Sequence, residues 1–272
     1  SFPTRRSSDL VQLVKEICEE AQKHEVELAK LANEETGFGR WEDKVLKNRL
    51  ASIGVYETIK NQKTKGIIKE DKENGITEIA VPMGIIAALI PSTNPTSSTI
   101  YKIMIALKAG NAVIVSPHPN AKDCIIRTAE YLIRAAERKG APKGLIGVIK
   151  TPTLQATQEL MKHKHTALIL ATGGEAMVKA AYSSGTPAIG VGPGNGPAFI
   201  ERSADIRKAV KRIIDSKTFD NGVICASEQS IVTEEIIRNQ VIDELKRQGA
   251  YFLNKDERNK VGSILMRANN TR

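Results

Sequence analysis

Cys225 stands in Thr218-Phe219-Asp220-Asn221-Gly222-Val223-Ile224-Cys225-Ala226-Ser227-Glu228-Gln229, a small, mostly uncharged loop between a predicted helix and a predicted strand. A thiolate there is suited to attack a carbonyl, because its reactivity is set by exposure and by nearby amide dipoles. A structural cysteine in the core is the alternative, since free cysteine is among the most buried residue types. Asn94 is the second candidate. Pro95 holds it out of helical geometry and leaves an extended, outward-pointing amide at a helix entrance, able to donate to an oxyanion. The competing reading is a turn residue that satisfies its own backbone.

Three loops at predicted strand ends carry further chemistry: Ile90-Pro91-Ser92-Thr93-Asn94-Pro95-Thr96-Ser97, Ala171-Thr172-Gly173-Gly174-Glu175, and Gly190-Val191-Gly192-Pro193-Gly194-Asn195-Gly196-Pro197. In an open α/β sheet the ligand lies outside the carboxyl ends of the strands, so these loops can converge on one crevice. Thr172-Gly173-Gly174 opens a helix, where absent side chains let amide groups approach a phosphate or a nicotinamide ring. Tight strand-to-helix turns also use glycine for steric reasons alone. No GxGxxG follows a predicted strand, which disfavours an ordinary Rossmann dehydrogenase.

The elements that must position these residues alternate. Apolar spacing predicts a helix from Val11 to about Leu31, ended near Gly37, and a second helix from Trp41. Residues 62–81 read as a hairpin or extended arm that could pair with a partner subunit. Beyond Pro82, strands at Ile85–Ile90, Ala112–Val115, Leu145–Ile149, Ala167–Ala171 and Pro187–Val191 trade places with helices. Their continuous apolar runs are those of a parallel sheet covered on both faces. The expected fold class is α/β, with a doubly wound parallel sheet forming a dinucleotide-binding domain over 11–61 and 82–197. A second domain begins at 198 and has too few elements by 272 to close a sheet.

Composition limits the function classes. The chain has 272 residues, 41% hydrophobic and 26% charged, which is ordinary for a globular protein. Its +9 net charge is scattered among acidic residues along helices, and with aromatics at 4% there is little surface for base stacking, so no nucleic-acid partner is expected. No run reaches the roughly 20 apolar residues of a membrane span, and no signal peptide is evident, so no membrane role and a cytoplasmic location are expected. Cys18, Cys124 and Cys225 lack CxxC spacing, and His163 and His165 flanking Lys164 read as a solvated pair, so no metal is assigned. Ser1 to Leu10 matches one reading frame of a common short-read sequencing adapter and is expected to be non-native.

Taken together, Phe219–Gln229, Pro91-Ser92-Thr93-Asn94-Pro95-Thr96, Ser116-Pro117-His118-Pro119 and Ala171-Thr172-Gly173-Gly174 closely resemble the CoA-acylating branch of the aldehyde dehydrogenase superfamily. Glu42-Asp43-Lys44-Val45 and Met177–Gly185 add to the resemblance, which runs from about Val11 to about Tyr251. It implies an aldehyde dehydrogenase-like fold whose catalytic domain begins within 198–272. Cys225 is then the nucleophile, and Asn94 with the Cys225 amide meets the oxyanion. The acyl group passes from a cysteine thioester to coenzyme A, and hydride goes to NAD, with NADP possible. Thr93, Ser116, His118, Pro119, Thr172, Gly173, Gly174 and Gly192 are the implied cofactor-binding residues. Gapless placement against hydrolytic relatives puts Thr93, rather than Asn94, at their oxyanion asparagine.

Two departures bear on mechanism. Hydrolytic relatives carry a general-base Glu where this chain has Gly190-Val191-Gly192-Pro193-Gly194, and without it a thioester waits for a better nucleophile than water. Ser116-Pro117-His118-Pro119 replaces the Lys and Glu that hold the adenosine ribose, leaving NAD against NADP open. The family's catalytic domain continues past residue 272 with an active-site histidine and part of the oligomer sheet, so the chain alone is expected to have little activity. Acetaldehyde is the expected aldehyde, with sulfoacetaldehyde or a longer one as alternatives. The complete protein is expected to be a homo-oligomer, with possible fusion to an alcohol dehydrogenase or housing in a microcompartment. A purely assembly role for the chain is the competing class.

Overall fold

The computed structural model of the protein describes residues 7–192 and 194–265. The chain divides into two compact units, 1–194 with 220–225, and 195–219 with 226–272. Within the first, α1 (Ser7–Lys23), α2 (Glu25–Thr36), α3 (Trp41–Arg49) and α4 (Val55–Ile59) precede a hairpin of β1 (Gly66–Asp71) and β2 (Ile76–Ala80). Then follow β3 (Ile85–Leu89), α5 (Pro95–Lys108), β4 (Ala112–Ser116), α6 (Lys122–Arg138) and β5 (Ile146–Val148). The unit continues with α7 (Leu154–Lys162), β6 (Thr166–Thr172), α8 (Glu175–Tyr182) and β7 (Ala188–Val191).

Strands β3 to β7 form one parallel sheet in the order β5-β4-β3-β6-β7. The chain runs outward from β3 through β4 to β5, then returns to lay β6 on the other side of β3. Successive connections diverge there, which makes β3/β6 the topological switch point, the place where open α/β sheets bind ligands at their strands' carboxyl ends. The period-two alternation of a strand sorts its side chains to two cores. Ile86, Ala88 and Ile90 join Leu13, Ile17, Ile100, Ile103 and Leu107 on one face, whereas Ala87 and Leu89 join Met161, Ile169 and Ala181 on the other.

The single helix expected over Val11–Leu31 is two helices, broken at His24, whose ring stacks on Tyr131 of α6 at 3.6 Å. The start of α1 takes in Ser7 to Leu10, and Leu10 is buried; the rest of the adapter-like segment lies outside the described residues. α3 runs into a π-turn at Leu50–Gly54, where Ser52 Oγ donates to the Asn48 carbonyl at 2.8 Å. The β1–β2 hairpin pairs antiparallel as a sheet of its own and exposes Ile67, Ile76 and Ile79. Its root is pinned by Lys108, whose Nζ donates to the Gln62 carbonyl at 2.6 Å.

The second unit holds β8 (Gly196–Ile200), α9 (Ile206–Thr218), β9 (Glu228–Thr233), α10 (Arg238–Arg247) and α11 (Lys255–Leu265). β8 pairs in parallel with β9, so the sequence boundary at 197/198 falls inside a strand. Gly196-Pro197 disguised that strand as loop, because a proline lacks the ladder donor. Ile200, Val210, Ile237, Val241 and Leu245 form this unit's core, and Asp205 caps α9 by accepting from Lys208 N at 3.0 Å. Among the described residues no helix is long and apolar enough to cross a membrane.

Burial predicts which side chains carry the fold. Ile103→Ala, in the fully buried α5 stripe, is expected to cost about 2–5 kcal/mol in urea unfolding. Ile67→Ala, on the exposed hairpin, is expected to stay within about 0.5 kcal/mol.

Candidate active site

Helix α3 is the bracket on which the site is built. Residues at spacings of three and four share a helix face, and Lys44, Lys47 and Asn48 turn one such face inward, all three buried. Asn48 Oδ1 accepts from Thr96 Oγ1 at 2.7 Å, while its Nδ2 donates to the Glu25 carbonyl at 3.0 Å. Lys47 Nζ donates to Asn94 Oδ1 and to the Val223 carbonyl, each at 2.8 Å, and is hydrogen-bonded to Asp220 Oδ2. Lys44 Nζ reaches the same carboxylate oxygen at 3.0 Å. Burial pushes the Lys47 ammonium below the ordinary lysine range, and the Asp220 carboxylate opposes that shift.

Asp220 opens the segment leading to Cys225, and its backbone is unusual. Asp220, Asn221 and Gly222 are successively left-handed, with φ of 49°, 54° and 72°. A non-glycine residue in that region costs about 1–2 kcal/mol, so the turn persists only because its surroundings over-determine it. Asp220 Oδ1 accepts from Arg40 N at 2.7 Å, and Asp220 N donates to Asp43 Oδ2 at 2.9 Å. Val223 N closes the turn on the Asp220 carbonyl at 3.0 Å. Cys225 follows, exposed, whereas Cys18 and Cys124 are buried and burial raises both of those thiols' pKa values.

Asn94 is non-helical, as expected before proline, and α5 starts at Pro95, but with φ −136° and ψ 57° it is not the extended, outward-pointing residue expected, because the buried Lys47 ammonium draws its amide oxygen inward. Its side chain makes no capping bond to its own helix. Oδ1 takes the Lys47 ammonium instead, and Nδ2 donates to Thr93 Oγ1 at 3.2 Å. Thr93 and Asn94 thus sit side by side in the loop after β3, both half-buried.

The remaining predicted residues lie at the carboxyl ends of the same sheet. Ser116 ends β4; it is buried and its hydroxyl shares a 3.0 Å hydrogen bond with Thr157 of α7. His118 and Pro119 follow it. The His118 ring accepts from Asn120 N at 3.1 Å, and burial lowers its pKa. Thr172 ends β6, Gly173 N donates to the Val191 carbonyl at 3.2 Å, and Gly174 precedes α8. At Gly174, with φ −66°, no protein atom lies within 4 Å of where a Cβ would stand, so neither packing nor backbone requires glycine there. What its absent side chain leaves is open space at a helix N-terminus, which fits a ligand phosphate or ring. Gly192 lies beyond β7, where a Cβ would stand 3.8 Å from Val178 Cγ2 and 3.9 Å from the Gly173 carbonyl oxygen.

Three participants carried no role in the sequence reading: Lys47, Asp220 and Lys102. Lys102 projects from α5 into the switch point, donating to the Leu89 carbonyl at 2.7 Å and the Leu170 carbonyl at 2.9 Å. Burial pushes its pKa down to about 7. Lys102 was a charge on a largely apolar helix face, Lys47 one of two lysines on a short polar helix and Asp220 a charge in a mostly uncharged loop, and each of these is equally the signal of a solvated charge. Only tertiary packing separates the two.

A scan against family models matches residues 3–270 to the aldehyde dehydrogenase family. An aldehyde-alcohol dehydrogenase of Clostridium acetobutylicum is 51% identical over 242 residues, 89% of this chain and 28% of that protein. The crystal structure of an acetylating aldehyde dehydrogenase from Geobacillus thermoglucosidasius superposes with a TM-score of 0.92 at 55% identity, covering 98% of this chain and 59% of that one. A propionaldehyde dehydrogenase of Rhodopseudomonas palustris, solved with bound CoA and an acylated cysteine, gives a TM-score of 0.87 at 30% identity over 98% of this chain and 61% of that one. The chain therefore spans less than a third of the curated relative and about three-fifths of these two solved structures.

Two measurements probe the site. A Cβ on Gly39 would stand 1.8 Å from Asp220 Oδ1, whereas one on Gly37 would meet nothing within 4 Å, and both residues have positive φ. Gly37→Ala is expected to cost about 1–2 kcal/mol. Gly39→Ala, which also displaces a buried carboxylate, is expected to cost about 3 kcal/mol or more in denaturant unfolding.

For Lys102, the folded pKa of about 7 lies below the unfolded value, so between the two the unfolded chain binds more protons. Stability relative to Lys102→Met should then be flat below about pH 7 and rise towards pH 10, by at most about 1.4 kcal/mol per pH unit. Parallel urea-midpoint curves for the two proteins between pH 6 and 9.5 would refute this.

Proposed function

The chain belongs to the aldehyde dehydrogenase family, and from that premise we propose that it is the cofactor-binding and nucleophile-bearing part of a CoA-acylating aldehyde dehydrogenase. The substrate is a short aldehyde, acetaldehyde first, and NAD is the oxidant. The observation that carries the reading is that the Asn94 amide and the segment before Cys225 are held by the same Lys47 ammonium.

Cys225 attacks the aldehyde carbonyl as thiolate, forming a thiohemiacetal on its sulfur. The Asn94 Nδ2 and the Cys225 backbone N–H supply the donors for the oxyanion, each worth about 3 kcal/mol of barrier. A nicotinamide dinucleotide bound at the carboxyl ends of β3, β4 and β6 supplies the hydride acceptor. Thr172, Gly173 and Gly174 at the start of α8 would hold it, and Thr93, Ser116, His118, Pro119 and Gly192 would complete its site. The resulting Cys225 thioester meets no carboxylate in Gly190-Val191-Gly192-Pro193-Gly194 to activate water, so a thiol, coenzyme A, takes the acyl group. The solitary β1–β2 sheet with its exposed isoleucines supports a contact with a second subunit in the complete assembly.

Iodoacetamide is expected to modify Cys225 stoichiometrically, sparing Cys18 and Cys124, with NAD or aldehyde slowing the reaction in peptide mapping by mass spectrometry. In the protein encoded by the native reading frame that carries this chain, Cys225→Ser is expected to abolish CoA-dependent NADH formation from acetaldehyde. Turnover in that variant, or labelling indifferent to both ligands, would sink the reading.

A further inference from the structure

We propose that Lys47 is a positioning residue for acyl transfer: its ammonium sets which face of the Asn94 amide looks into the site and ties that amide to the turn leading to Cys225. The inference rests on Cys225 and Asn94 acting as proposed above.

The argument starts from the donor inventory. An ammonium only donates, so the Asn94 atom 2.8 Å from Lys47 Nζ must be the carbonyl oxygen. The amide nitrogen is thereby turned to the other side, where one hydrogen meets Thr93 Oγ1 at 3.2 Å and the second is left for an oxyanion. Drawing electron density onto Oδ1 also makes the Nδ2 hydrogens better donors. The same ammonium bonds the Asp220 carboxylate and the Val223 carbonyl, so its three hydrogens tie two loops more than a hundred residues apart to one atom. Lys44 shares the carboxylate and has no bond to Asn94 among those described. The two lysines therefore share the carboxylate and differ in the bonds to Asn94 and the Val223 carbonyl, which makes Lys44 the control for loss of a carboxylate partner alone.

A chemical distinction separates positioning from mere support. Acylation of Cys225 by p-nitrophenyl acetate passes through a tetrahedral oxyanion: the thiolate adds to the carbonyl, an S–C bond forms, and the C–O bond breaks to release p-nitrophenolate. Alkylation by iodoacetamide displaces iodide in one step with no oxyanion. Lys47→Met is expected to slow Cys225 acylation about 30-fold or more, somewhat less than the roughly 100- to 1000-fold for outright loss of an oxyanion donor, and to change alkylation less than about 3-fold. Asn94→Ala should show the same split, and Lys47→Met added to Asn94→Ala should slow acylation no further. Lys47→Arg, which keeps a buried cation with several donors, should recover part of the rate. Lys44→Met should lower stability without any split.

Both rates are read at Cys225 by peptide mapping on the protein encoded by the native reading frame that carries this chain, with urea unfolding run alongside. Equal loss in both reactions for Lys47→Met, a matching split in Lys44→Met, or additive losses in the double variant would overturn the role of Lys47 and leave the nucleophile standing. Should Lys47→Met fail to fold, the split between acylation and alkylation in Lys47→Arg decides in its place, and an unchanged ratio there overturns the role. A wild-type protein from the native reading frame that carries this chain, if its Cys225 accepts no acetyl group, would overturn the functional reading and this inference with it.

Discussion

The buried cluster of Lys44, Lys47 and Asp220 is the constraint on which the candidate site depends. Two ammonium groups and one carboxylate are withdrawn from water, with side-chain exposures of 3%, 7% and 0%. Such a cluster is poor evidence of net stability, because desolvation of the ions offsets most of their attraction. Its value lies in specificity. Removing any member leaves a charge buried without its partner, so the arrangement permits one geometry of the Asp220–Gly222 turn and penalises others. That turn is left-handed at three successive residues, a conformation two of them would not choose alone.

The sheet supplies the second half of the site. The switch point between β3 and β6 brings the Thr93-Asn94 loop and the Thr172-Gly173-Gly174 loop to the same edge, and Lys102 bonds a carbonyl on each strand there. α3 then joins that edge to the segment before Cys225 through Asn48 and Lys47. The division of the chain follows the same logic: Asp220–Cys225 groups with the first unit, although its neighbours in sequence do not. Asn94 and the segment before Cys225 are thus held by one helix, an arrangement suited to the proposed reaction, which depends on ångström-scale placement.

Most of the architecture was legible because its signals are local. Apolar runs such as Ile85–Leu89 and Ala112–Ser116, and the proline after Asn94, announce strands and a helix start within a few residues. Errors fell where a local signal misleads. The helix expected over Val11–Leu31 breaks at His24 without a glycine or proline to mark it, and β8 hides behind Gly196-Pro197. Among site residues, Cys225, Asn94 and the glycine loops could be singled out by type and spacing. Lys47 and Asp220 could not, since in sequence each is one charge among many.

The amino-acid order by itself determined the alternation of strands and helices, a thiol in a small loop, the amide before a proline and the missing carboxylate at Gly190–Gly194. These are properties of short segments, set by backbone sterics and by the chemistry of single side chains. Only the tertiary structure decided that an ammonium on α3 meets Asn94 and the turn before Cys225 at once, and that Gly39 must lack a side chain for Asp220 to lie against it. The reason is distance along the chain. Lys47 is separated from Asp220 by 173 residues, and a contact between two such charges is specified by the whole fold rather than by either neighbourhood.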